Sequence, residues 1–177
     1  MIGLPALIQD CASGVHPVTM AAVVAVESGA NPFAIGVVDG RLQRQPRSLP
    51  EALATAVALQ RAGRNFSLGL AQINRHQLAR HGLDLTSAFD PCSNLRAAAR
   101  ILTSCYAQAR RTQSDPQQAL QVALSCYYSG DATRGFRPDP GIGTSYVQRV
   151  LAMAARQAVA RPPRAPDAAV TASGAPQ

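Results

Sequence analysis

The chain has 177 residues, of which 47% are hydrophobic and 15% charged, enough apolar material for one domain with a real core and too much for a disordered polymer. No stretch offers the roughly 20 apolar residues needed to cross a bilayer, and the N-terminal MIGLPALIQDCASG lacks the basic n-region and long apolar core of a secretory signal. The net charge of +7 comes from 17 basic residues, every one an arginine; they are scattered from Arg41 to Arg164 without a dense block, which fits a generally basic surface and argues against a nucleic-acid partner.

In chain order, Leu4 to about Cys11 predicts a short first helix. His16-Pro17 punctuates the chain, with Pro suited to a first helical turn. Val18 to Glu27 then reads as a buried helix without a charge until its last residue. Ser28-Gly29 closes it, Gly29 being a natural left-handed cap. Glu27 therefore stands in the last turn, where both burial and the negative end of the helix dipole disfavour an ionised carboxylate. A carboxyl kept neutral near pH 7 is a general acid.

Asp39-Gly40 between β-capable runs in FAIGVVDGRLQRQ predicts a hairpin. Ser48-x-x-Glu51 is a capping box that opens an alanine-rich helix to about Ala62 and gives Glu51 a structural task. NFSLGLAQIN predicts a turn or short strand, and a brief helix is expected over about 75–81. Asp90-Pro91 and Asp115-Pro116 each supply an N-cap followed by Pro at the first helical position. They open helices through LRAAARILTSCYAQARR and QQALQVALSCYYSG. A Gly/Pro-rich loop over 130–143 precedes a last helix from about Thr144 to Ala160. Residues 1–160 form the expected domain, and the Pro/Ala-rich 161–177 is expected to be disordered.

Cys11, Cys92, Cys105 and Cys126 contain no CxxC pair, which speaks against zinc or thioredoxin-like chemistry. Their even number permits two disulfides in an oxidising compartment, with three connectivities open. His76 and His81 are five apart and do not share a helix face, so no metal site is expected.

Three motifs remain, in order: Glu27-Ser28, then Gly69-Leu70-Ala71-Gln72, then Cys126-Tyr127-Tyr128-Ser129-Gly130. Together with NPFAIGV, DPCSNL and ALSCYYSG, they resemble the soluble lytic transglycosylase superfamily, in particular its branch from type IV secretion and conjugation systems. The resemblance runs from about Leu7 to Met153. It implies an α+β, predominantly helical, lysozyme-like fold with a small β-hairpin. It also implies cleavage of peptidoglycan between N-acetylmuramic acid and N-acetylglucosamine, giving 1,6-anhydromuramic ends in the periplasm, with no metal or cofactor. The implied partners are the glycan strands and components of a type IV secretion or conjugation apparatus.

By that resemblance Glu27 is the single catalytic acid and base, and Gln72 hydrogen-bonds sugar near the cleavage point. Tyr127 places its hydroxyl near Glu27, and Ser28 orients the turn after the helix. Ala71 stands where the common motif has Met, and Tyr128 where it has Asn. The serine that assists some members corresponds to Gly36. Tyr146 in GTSYVQRV is a further candidate for the substrate cleft. Two other functions stay open: a muramidase that uses water, for which Asp39 is the only nearby second carboxylate, and a non-catalytic wall-binding assembly protein.

Overall fold

A computed structural model describes residues 3–160; the expectation of a disordered tail over 161–177 lies outside them. Among the described residues six helices accompany a small sheet, so the fold is α+β and predominantly helical, as expected. The helices are α1 (Leu4–Cys11), α2 (Pro17–Ser28), α3 (Leu49–Arg61), α4 (Pro91–Ala109), α5 (Pro116–Ser129) and α6 (Tyr146–Ala160). Their starts follow local chemistry. His16 Nδ1 accepts from Val18 N–H ahead of Pro17. Asp90 and Asp115 each accept from the N–H three residues on. Ser48 caps α3, and the Glu51 carboxylate reaches back to the Arg47 N–H. Gly29 and Gly130 end α2 and α5 in the left-handed conformation, with φ of 60° and 74°.

Helix α2 is the axis of the domain. Its Met20 and Val24 join the core formed with α1, α3, α4 and the sheet, while its Ala22 and Val23 join a second cluster with α5 and α6. A helix covered on two sides must be apolar nearly all round, which accounts for the uncharged run that precedes Glu27.

The sheet is antiparallel in the order β1 (Ile35–Val37), β2 (Phe66–Leu68), β3 (Ile73–Asn74). Ile35 faces Leu68 and Val37 faces Phe66, and Leu68 in turn faces Ile73. The small hairpin is therefore β2–β3, and the one expected at Asp39-Gly40 does not form. Asp39 does take the positive φ of a turn residue, 55°, but no strand follows. The Gln45 side chain replaces it: its Oε1 accepts from Ile35 N–H at 2.8 Å and its Nε2 donates to Ile35 C=O at 3.0 Å. One amide thus occupies the edge that a second strand would have paired, and β1 finds its neighbour across α3 instead. The helix expected over 75–81 is likewise corrected, to two 3-10 turns, Arg75–Gln77 and Ala79–His81. Leu78 is the one large apolar residue there, and a single anchor gives no continuous face for an α-helix to bury.

All four cysteines are paired. Cys11–Cys92 ties α1 to the first turn of α4 over 81 residues of sequence, and Cys105–Cys126 ties α4 to α5 over 21. Thiol titration of denatured, unreduced protein from an oxidising compartment should find no free thiol. On loop entropy the longer closure contributes roughly 1 kcal/mol more than the shorter. The double variant Cys11→Ser/Cys92→Ser should therefore lose more stability than Cys105→Ser/Cys126→Ser. The opposite order in denaturant melts would show that native packing, not loop length, sets the cost.

Candidate active site

A cleft of about 500 Å³ opens between the end of α2, the sheet, α4 and the end of α5. Glu27 lies in it, with Gly36, Gln72, Ile101, Tyr127, Tyr128 and Arg134 among the lining residues. Glu27 is the only carboxyl among the described lining residues. It keeps a little surface, but protein atoms crowd its carboxyl, and this burial pushes its pKa from 4.5 up to about 7. A hydrogen bond from the Tyr146 hydroxyl and the charge of Arg149 pull in the other direction with less effect. Its place at the C-terminal end of α2 acts in the same sense as burial.

The hydroxyl on Glu27 belongs to Tyr146, which donates to Oε1 at 2.7 Å. Tyr127, expected near Glu27, lines the same cleft without making that hydrogen bond. That residue does lie close enough for Glu27 to help burial raise its pKa well above 10. Its single O–H proton is spent, however, on the Ala71 carbonyl at 2.6 Å. Tyr128 stacks its ring on Tyr146 with centroids 4.5 Å apart and 13° between planes. The Tyr128 hydroxyl donates to Asp139 at 2.8 Å. The tyrosine in place of the motif Asn thus backs the ring that holds Glu27.

Residues 68–72 form a turn fixed from several sides. Ser28 Oγ donates to the Leu70 carbonyl at 2.6 Å, so Ser28 fastens the end of α2 to this turn, and it is not among the residues lining the cleft. Asn94 of α4, fully buried, accepts from Ala71 N–H at 2.8 Å and donates to the Leu68 and Ala88 carbonyls at 2.9 and 2.8 Å. Gly69 has φ of 79°, and a Cβ there would stand 2.4 Å from both Ala88 O and Asn94 Nδ2, so no other residue fits. Gln72 itself has a positive φ of 52°. Its Nε2 donates to the Ala34 and Gly69 carbonyls at 3.1 and 2.9 Å. Both amide protons are used, which leaves Oε1 as the group free to meet a ligand, and only as an acceptor. That oxygen lies over Gly36, where a Cβ would approach to 2.6 Å. The residue that replaces the serine of other members is thus the one that gives the Gln72 amide its room.

Asp39 is exposed and does not line the cleft; its backbone carbonyl accepts from Arg64. Sequence reasoning missed Asn94, Asp139 and Arg149. Asn94 had a signal, a polar residue on the apolar stripe of α4 in the quoted DPCSNL. Asp139 and Arg149 had none, because their importance comes from meeting each other at 2.7 Å around the tyrosine stack.

The transglycosylase SLT domain matches residues 6–136, a span that begins in α1, holds all three motifs and ends after α5. The chain belongs to this family. The three motifs and every described lining residue of the cleft fall inside this span. The chain is 52% identical over 155 residues to the type IV secretion system protein virB1 of Brucella abortus, covering 87% of this chain and 65% of that protein. It is 36% identical over 144 residues to protein virB1 of Agrobacterium fabrum, covering 80% of this chain and 55% of that one. The chain thus spans less than two thirds of the length of these relatives. No solved structure matches this chain.

Proposed function

We propose that the protein is a peptidoglycan lytic transglycosylase that opens the cell wall locally, in the periplasm, for a type IV secretion or conjugation apparatus. The observation that carries this reading is one carboxyl, held near neutrality by burial, in a cleft whose described lining has no second carboxylate. Family membership and the virB1 relatives support the same conclusion.

Glu27 starts protonated and gives its proton to the glycosidic oxygen as the C–O bond to the muramoyl C1 breaks. The carboxylate so formed gains the Tyr146 hydrogen bond in full strength, since a charged acceptor binds a hydroxyl more tightly than a neutral one. It then takes the proton of the muramoyl C6 hydroxyl, whose oxygen closes on C1. Glu27 returns to its starting state and no water is consumed. The Gln72 carbonyl, rigid and acceptor-only, binds a donor on the sugar, either an N–H or a hydroxyl.

Mass analysis of purified peptidoglycan after digestion decides between this reaction and hydrolysis. Anhydromuramic ends are expected; reducing ends would make the protein a muramidase, and no new ends would leave it a wall-binding assembly protein. Asp39→Asn should keep most of the activity, because Asn suits the same left-handed turn position. A folded Asp39→Asn protein inactive on cell wall would point instead to a two-carboxylate hydrolase.

A further inference from the structure

Arg134 is the one cationic side chain among the described lining residues of the cleft. The loop that presents it is rigidly built. Asp131 Oδ1 accepts from Thr133 N–H at 2.7 Å, from the Thr133 hydroxyl at 2.8 Å and from Arg134 N–H at 2.8 Å. Ser125 Oγ donates to the Asp131 carbonyl at 2.7 Å and accepts from Gly135 N–H at 2.8 Å. A Cβ on Gly135 would come within 2.6 Å of Ser125 Cα, so only glycine lets this segment lie flat on α5. The loop therefore fixes the backbone of Arg134 at the rim.

The charge of Arg134 is only partly spent. Its Nη2 reaches Asp139 Oδ1 at 3.2 Å, while Arg149 holds the other oxygen of the same carboxylate at 2.7 Å. Two guanidinium groups share one anion, which leaves a net positive charge. The Arg134 Nη1 has no hydrogen-bond partner among the described residues although it is buried. An unpaired buried donor is costly, and more so on a charged group. The guanidinium also lies 5.8 Å from the centre of the Tyr128 ring, at the mouth of the tyrosine stack that backs Glu27.

We propose that Arg134 is an anion subsite of the cleft that binds a carboxylate carried by the substituent on the muramic residue, either on the stem peptide or on the lactyl group itself. The proposal rests on the peptidoglycan reading given above. A planar guanidinium that shares its one carboxylate partner with Arg149 matches a further carboxylate in both charge and shape. The subsite would make the protein select glycan by what its muramic residue carries, and not by the sugar alone.

The test compares three soluble glycan fragments: peptide-bearing with free carboxylates, the same fragments with those groups converted to carboxamides, and peptide-free fragments that keep the lactyl carboxylate. Affinity is measured on Glu27→Gln protein, which holds substrate without cutting it. The free-acid peptide form should bind about tenfold more tightly than the carboxamide form, the scale of one partly solvated charge-assisted contact. Adding Arg134→Gln should abolish that preference, and Arg134→Lys should retain part of it. Any general disturbance of the cleft would weaken both forms alike and leave their ratio unchanged. The lactyl carboxyl is an amide wherever a stem peptide is attached, so an Arg134-dependent preference within the peptide-bearing pair makes the stem peptide the ligand, and Arg134-dependent binding of the peptide-free fragments alone makes it the lactyl carboxylate. No preference within the peptide-bearing pair together with peptide-free binding that ignores Arg134, a preference that survives Arg134→Gln, or no binding of any fragment would each overturn the proposal. The two readings fail separately: binding with an Arg134-dependent preference but without cleavage by protein with Glu27 intact would end the enzyme assignment and keep the subsite, and cleavage without the preference would do the reverse.

Discussion

Glu27→Gln should abolish cleavage of peptidoglycan and make the folded protein more stable at alkaline pH. Gln is nearly isosteric and its Oε1 can still accept from Tyr146, but it has no acidic proton to deliver. Loss of general acid catalysis costs at least about 100-fold, and here the same group also supplies the base. The stability effect has a defined sign. Burial raises the Glu27 pKa from 4.5 to about 7, so between those values the folded protein holds a proton that the unfolded chain has released. Stability from this group is therefore complete below about pH 4.5, declines as the pH rises, and is lost above about pH 7. The full cost is about 3 kcal/mol, and the Gln variant does not bear it. Melting curves of parent and variant should coincide in acid and separate through this window, with the variant higher at pH 8. A variant with more than half of the parent turnover would remove Glu27 from the reaction, and parallel melting curves across the range would show that its carboxyl is not held neutral.

Asn94→Leu should weaken the scaffold directly under the cleft. Leucine fills the same space, but it strips the acceptor from Ala71 N–H and the donor from the Leu68 and Ala88 carbonyls. Buried polar groups left without partners cost about 1–3 kcal/mol each when water cannot reach them. Allowing for relaxation, a loss of about 3 kcal/mol lowers Tm by about 6–12 °C for a chain of this size. Activity should fall further than stability alone explains, because two of these bonds, to Ala71 and Leu68, hold the turn that carries Gln72. A Tm within about 2 °C of the parent would mean that packing of α4, and not the Asn94 amide, fixes this turn.

Much of the fold was written in local chemistry. The caps at His16, Ser48, Asp90 and Asp115 and the glycines at 29 and 130 act within one helical turn of where they stand. The same locality made Glu27 a candidate: a carboxyl that ends an uncharged helix is either solvated by the chain end or held partly dry, and the other two motifs favoured the second. The order of the three motifs supplied the family and, through it, the α+β lysozyme-like architecture.

Everything that depended on which distant groups meet was decided by tertiary structure. Tyr146 reaches Glu27 across 119 positions of sequence, and no periodicity distinguishes it from a core tyrosine. Tyr127 and Ser28 each have one hydroxyl proton to give, and only the approach of the turn at 70–71 sends those protons to backbone carbonyls. The strand after Asp39 was lost because the Gln45 amide took the edge of β1, a competition between a side chain and a backbone that propensity cannot score. Four cysteines allowed three pairings, and the packing of α1 and α5 against α4 chose one. Short-range sterics and capping are properties of neighbouring residues and can be read along the chain. Hydrogen-bond partners, sheet neighbours and cross-links across tens of residues depend on where the whole chain places them, so they became visible only once it had folded.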